Sequence, residues 1–154
     1  MAFEPGPAMA TRRSGCVTVA LYEHRIMVAG GNSGSGYLNT TEVLDVRTMA
    51  FAPGPSMASA RSWCAAAAVD AQHVLVIGGL DSLGTSLAST ELLDVAMMEF
   101  APGPNMRAAR LACAAVRFDA ADGQPRILVI GDGETEVLAA AADGPNPPAA
   151  QRRA

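Results

Sequence analysis

A segment of the form Phe-x-Pro-Gly-Pro-x-Met occurs three times, at Phe3–Met9, Phe51–Met57 and Phe100–Met106, spaced by 48 residues and then by 49. An arginine follows each Phe at the same distance (Arg13, Arg61, Arg110), and so does a cysteine (Cys16, Cys64, Cys113). Further on come Gly30-Gly31, Gly78-Gly79 and the weaker Gly131-Asp132, each closing an apolar run. Then follow Thr41-Glu42-Val43-Leu44-Asp45, Thr90-Glu91-Leu92-Leu93-Asp94 and the partial Thr135-Glu136-Val137-Leu138. Landmarks that recur in register over three copies exclude coincidence. A period in the high forties restricts the chain to stacked supersecondary units, as in propellers and solenoids.

The local period inside a repeat separates those two architectures. In the second copy, Cys64 to Val69 is small and apolar, His73 to Ile77 is apolar and β-branched, Thr90 to Val95 alternates, and Met98 to Ala101 precedes a Pro-Gly-Pro stop. These predict four short strands separated by turn residues, with no stretch of helical periodicity long enough for a helix. Four short strands per repeat make one propeller blade. Cys64-Ala65-Ala66-Ala67-Ala68 reads as a strand in spite of the helix preference of alanine, because Cys16–Leu21 and Ala114–Phe118 at the same repeat position are more β-like.

An arginine before a small-residue strand, an apolar strand ending in Gly-Gly, a Glu-x-x-Asp element, and an aromatic before a Pro-rich turn together resemble the kelch motif in its usual order. The resemblance covers residues 3 to about 138. Leu44 and Leu93 stand where that motif usually has tyrosine, and Phe3, Phe51 and Phe100 where it usually has tryptophan. The resemblance implies an all-β fold of kelch-type propeller blades, here three four-stranded antiparallel blades in an incomplete ring. The blades are expected at 12–57, 60–106 and 109–138, with residues 1–9 as a stray outer strand and turn, and 139–154 as a Pro- and Ala-rich disordered tail. It further implies a protein-interaction module, such as part of a ubiquitin ligase adaptor or a cytoskeletal scaffold. Some propellers of this kind are instead copper-radical oxidases or sugar isomerases. An oxidase would need Tyr22, Tyr37, His24 and His73 to converge with a cysteine.

Most landmarks have architectural readings. Gly pairs allow positive φ or close approach of a neighbouring blade, and Pro-Gly-Pro ends a strand. Phe51, Phe100 and Phe3 are expected to wedge between blades, Met9, Met57 and Met106 to fill gaps, and the cysteines to serve as small buried hydrophobes. Glu42 with Asp45, and Glu91 with Asp94, recur in successive repeats. A catalytic pair is needed once per site, so recurring carboxylates are expected on turn amides or on the recurring arginines. Arg13, Arg61 and Arg110 have two readings: each fixes its blade by pairing with a repeat acid, or offers its guanidinium to a partner at the loop face. Ser62, Asn105 and Arg107 join them as partner-binding candidates. The loop residues that differ between copies, Ser56 against Asn105, and 32–39 against 80–89, are the expected carriers of specificity.

With 11 basic residues against 15 acidic ones, and the basic ones scattered, the chain lacks the concentrated positive surface of a nucleic-acid binder. No apolar run is long enough to cross a bilayer, and no secretory signal is apparent, so a cytoplasmic site is expected. No residue cluster calls for a metal or cofactor. Three cysteines argue against a closed disulfide framework. Closed propellers have four to eight blades, so three leave two end faces of roughly 300 Å² each uncovered. Covering them is expected either within a longer propeller or in a head-to-tail homodimer in which each chain's first residues finish the other's last blade.

Overall fold

A computed structural model describes residues 1–139 and contains eleven strands in three antiparallel sheets. Blade one comprises β1 (Val17–Leu21), β2 (Arg25–Ala29), β3 (Thr41–Asp45) and β4 (Ala50–Pro53), paired in that order. Blade two repeats the arrangement with β5 (Ala65–Ala68), β6 (His73–Ile77), β7 (Thr90–Asp94) and β8 (Glu99–Pro102). Blade three contains β9 (Ala114–Asp119), β10 (Pro125–Gly131) and β11 (Glu134–Ala139). The fold is therefore all-β, with propeller-like antiparallel blades that do not close into a ring.

The third blade corrects the expectation of three four-stranded blades: among the described residues it has three strands. A fourth strand like β4 and β8 would need a Phe-Ala-Pro-Gly-Pro segment, and residues 140–154 contain none. The expected tail lies, but for Ala139 at the end of β11, outside the described residues. No helix among the described residues is long and apolar enough to cross a membrane.

β1 packs beside β5, and β5 beside β9, which makes these the innermost strands. There the blades converge and space is shortest, and the Ala65–Ala68 run fits it. Ala65 and Ala67 face the core shared with blade three, and Ala66 and Ala68 the core shared with blade one. Tertiary packing on both faces overrides alanine's helix preference. β6 is buried along its whole length for the same reason.

The first inter-blade core joins Leu21, Met27, Ala29 and Val43 of blade one to Val74, Val76 and Leu93 of blade two. The second joins Leu75 and Ile77 of blade two to Ile127 and Val129 of blade three. Each fully buried aliphatic side chain contributes about 2 kcal/mol.

The glycine pairs set the blade spacing. Gly78 and Gly79 have φ of +62° and +97°, and a Cβ on Gly78 would sit 2.6 Å from the Arg110 carbonyl oxygen. That closeness lets Gly79 N donate to the same oxygen at 2.8 Å, as Gly31 N donates to Arg61 O at 2.7 Å. Blade three abandons the device: Asp132 and Gly133, both at positive φ, turn β10 directly into β11.

The three phenylalanines do not share one role. Phe51 and Phe100 lie opposite Leu44 and Leu93, on the same side of their blades. In blade two that side meets blade one, and Phe100 packs on the first core. In blade one no blade stands on that side, so Phe51 stays half-buried and does not wedge. Phe3 is fully exposed, and residues 1–9 pair with no strand.

Candidate partner-binding face

All three arginines are anchored inside their own blades. Arg61 is 1 % exposed. Its Nε donates to Glu91 Oε1 at 3.1 Å, and its Nη1 to the carbonyl oxygens of Gly78 (3.0 Å) and Ser89 (2.8 Å). Its Nη2 donates to Ser89 Oγ at 2.9 Å. Glu91 in turn accepts from the amides of Ala58 and Ser59 at 2.7 and 3.1 Å. Blade one repeats the constellation: Arg13 bonds Glu42, Gly30 O and Thr40 O, and Glu42 accepts from Ala10 N and Thr11 N. Burial alone would raise the Glu42 carboxyl, but those two amides and the guanidinium outweigh it and hold its pKa below the usual value.

Blade three keeps a looser version. Glu136 accepts from the amides of Arg107 and Ala108, and Arg110 Nη2 reaches Glu136 and Glu134. The Arg107 amide is the chief reason that Glu136 titrates low. The short turn at Asp132–Gly133 removes the long loop that supplies Ser89 in blade two, and the buried Arg110 Nε finds no partner. Offering any of these guanidinium groups to a partner would require dismantling a blade, so holding the blade is what their geometry serves.

Asp45 and Asp94, the second acids of the repeat, accept from amides in the β3–β4 and β7–β8 turns. Both acids are thus spent on backbone.

Ser62 is fully buried against Gly15 O and is closed to a partner. Asn105 and Arg107 are exposed and line a cleft of about 160 Å³ between blades two and three, walled by Leu75, Ile127 and Leu138. They belong to the blade end where β5 and β9 begin and β6 and β8 finish. The 32–39 and 80–89 loops stand at the same end, since Asn32 bridges Ser14, and Leu80 bridges Ser62.

Trp63 stands at that end too, and sequence reasoning passed over it. It is the only tryptophan in the chain. It has φ +57°, is 54 % exposed, and lies over Gly15. Its amide donates to Gly15 O at 2.7 Å, and its carbonyl accepts from Ala112 N at 2.8 Å. Gly15 and Ala112 hold the same left-handed position in their blades, with φ +61° and +49°. A bulky side chain costs about 1–3 kcal/mol in this region. The signal in the sequence was Gly15, the glycine of that repeat position. Leu83, 88 % exposed, caps the neighbouring loop.

Two of the three thiols are poorly suited to chemistry. Burial pushes Cys64 up to about 12 and raises Cys113. Among the described residues no group of three or more His, Cys, Asp or Glu could hold a metal ion. The cysteines open the innermost strands at the loop end, whereas Tyr22, His24 and His73 stand at the opposite end, with His73 Nδ1 2.8 Å from Asp70. The residues an oxidase would need are not brought together.

Residues 12–58 match the family model described as the Kelch motif, a span that covers blade one and runs to Ala58. No curated protein matches the chain.

Proposed function

We propose that this chain, whose residues 12–58 match the Kelch motif, is a kelch-repeat protein-interaction module whose partner docks on the loop end around Trp63, with Leu83, Asn105 and Arg107 as flanking contacts. The observation that carries the reading is Trp63: a large aromatic kept half-exposed at a left-handed position where the other blades have glycine and alanine. Strain and exposure both oppose it, and nothing in the blade requires it. Tryptophan is among the side chains that dominate binding energy at protein interfaces. The loops beside it differ in sequence between blades, while the clamps beneath them repeat. A rigid scaffold under variable loops suits recognition. Such a module serves as the recognition part of a ubiquitin ligase adaptor or a cytoskeletal scaffold.

The test replaces Trp63 with asparagine, which tolerates left-handed backbone. Trp63→Asn is expected to unfold within a few degrees of wild type and to lose the proteins that the wild-type chain retains in quantitative affinity capture. Retention of the same proteins by both would sink the proposed face.

A further inference from the structure

Each open end of the blade stack is half of a contact that the chain already makes twice. Val19, Met27 and Val43 of blade one, and Ala67, Leu75 and Leu92 of blade two, occupy equivalent positions and pack on the following blade. The equivalent row in blade three is Val116, Leu128 and Val137. It faces nothing among the described residues, with Val116 and Val137 each 53 % exposed and Ile130 46 % exposed beside them. The opposite face of blade two, with Val74, Val76, Leu93 and Phe100, packs on blade one. Its counterpart in blade one, Ile26, Val28, Leu44 and Phe51, faces no blade, with Val28 5 % exposed and the other three half-buried.

The edge strand shows the same half-completed pattern. Gly54 and Gly103 lie so close to the hydroxyls of Thr41 and Thr90 that neither leaves room for a Cβ. Those hydroxyls donate to Pro55 O and Pro104 O, each at 2.8 Å. The third glycine of the series is Gly6, which meets nothing within 4 Å. The third threonine is Thr135, exposed on β11, whose outer edge is bare among the described residues. By the register of Leu93 with Phe100, a strand at Phe3–Pro7 would set Phe3 opposite Leu138, toward the cleft lined by Leu75 and Ile127. The amide-to-carbonyl chain from Ala112 through Trp63 to Gly15 also stops at both ends, leaving Ala112 O and Gly15 N to continue it.

We propose that a second copy of this chain supplies both halves. Blade three of each copy packs on blade one of the other, and residues 3–7 of each become the outer strand on β11 of the other, making a six-bladed ring with two-fold symmetry. A head-to-tail contact either closes or polymerises, and two sets of three blades reach the four to eight at which propellers close. Four end faces of roughly 300 Å² each come to about 1,200 Å², the area of a stable interface, before the exchanged strands are added.

Light scattering on the 154-residue chain is expected to give twice 15.8 kDa at micromolar concentration. Gly6→Val meets no neighbour in the free chain but would strike Thr135 in the docked strand. It is expected to fold normally and to raise the dimer dissociation constant at least tenfold. Val137→Asp should do the same through the face, and Gly36→Ala, in open loop space, should leave the dimer unchanged. A wild-type monomer, open-ended oligomers, or a dimer indifferent to Gly6→Val would each overturn the proposal.

Discussion

Replacing Glu91 with glutamine isolates what the buried clamp contributes to stability. The side chains of Arg61 and Glu91 are 1 % and 6 % exposed. Glutamine keeps the volume but has one acceptor oxygen where Glu91 uses two. If that oxygen takes the Oε1 position it can still accept from Ser59 N and Arg61. The new amide nitrogen then faces Ala58 N, which now donates at 2.7 Å, donor against donor. The Arg61 charge is left buried without its counter-charge. An unsatisfied buried donor costs about 1–3 kcal/mol and a stranded buried charge about 3–5. The bonds that Arg61 keeps to Gly78 O, Ser89 O and Ser89 Oγ reduce that penalty, and the net loss is expected near 3 kcal/mol. For a chain of this length that lowers Tm by about 10 °C. Blade three supplies the internal control. Glu136 is 19 % exposed at the side chain, and Arg110 has Glu134 as a second carboxylate at 3.3 Å. Water and Glu134 absorb the change there, so Glu136→Gln should cost about 1 kcal/mol. Chemical unfolding of both variants measures the difference. Equal losses within about 0.5 kcal/mol would refute the reasoning that burial of the pair sets the cost.

Two further outcomes follow from the same geometry. Glu42, Glu136 and Asp70 all titrate below their ordinary values in the folded chain, so the unfolded chain takes up protons first on acidification. Their contribution is complete above the ordinary glutamate value of 4.5 and is lost as pH falls through the folded values. Tm should therefore hold level from about pH 7 to 5 and drop below about 4.5; a Tm that is flat or rising down to pH 3 would contradict this. Cys64, its thiol pushed up to about 12 by burial, should be alkylated by iodoacetamide at neutral pH only as fast as the chain unfolds. Modification of Cys64 in the native chain at the rate of a free thiol would show that the first inter-blade core is open.

What the sequence conveyed well was whatever depends on one blade alone. Spacing between landmarks placed β6 at His73–Ile77 and the other strands of blade two within a residue or so, because turn residues and apolar runs act locally. The carboxylates of the repeat were readable too, since Glu42 and Glu91 recur 29 and 30 residues after the arginines they bind. What could not be read depends on neighbours. Phe51 and Phe100 are each followed by Ala-Pro-Gly-Pro in the sequence, yet only Phe100 enters a core, because only blade two has a blade on that side. The arginines were candidates for a partner because nothing local shows that Gly78 O and Ser89 O converge on the same guanidinium. Trp63 escaped because its meaning lies in a backbone angle shared with Gly15 and Ala112, of which Gly15 alone carries a signal in the sequence. The same logic points outward. If strand position is local and wedging is relational, then Phe3, which shares the repeat position of Phe51 and Phe100, has its role set by whichever sheet edge it meets. In the proposed dimer that edge is β11 of the second copy, with Thr135 and Leu138 in place.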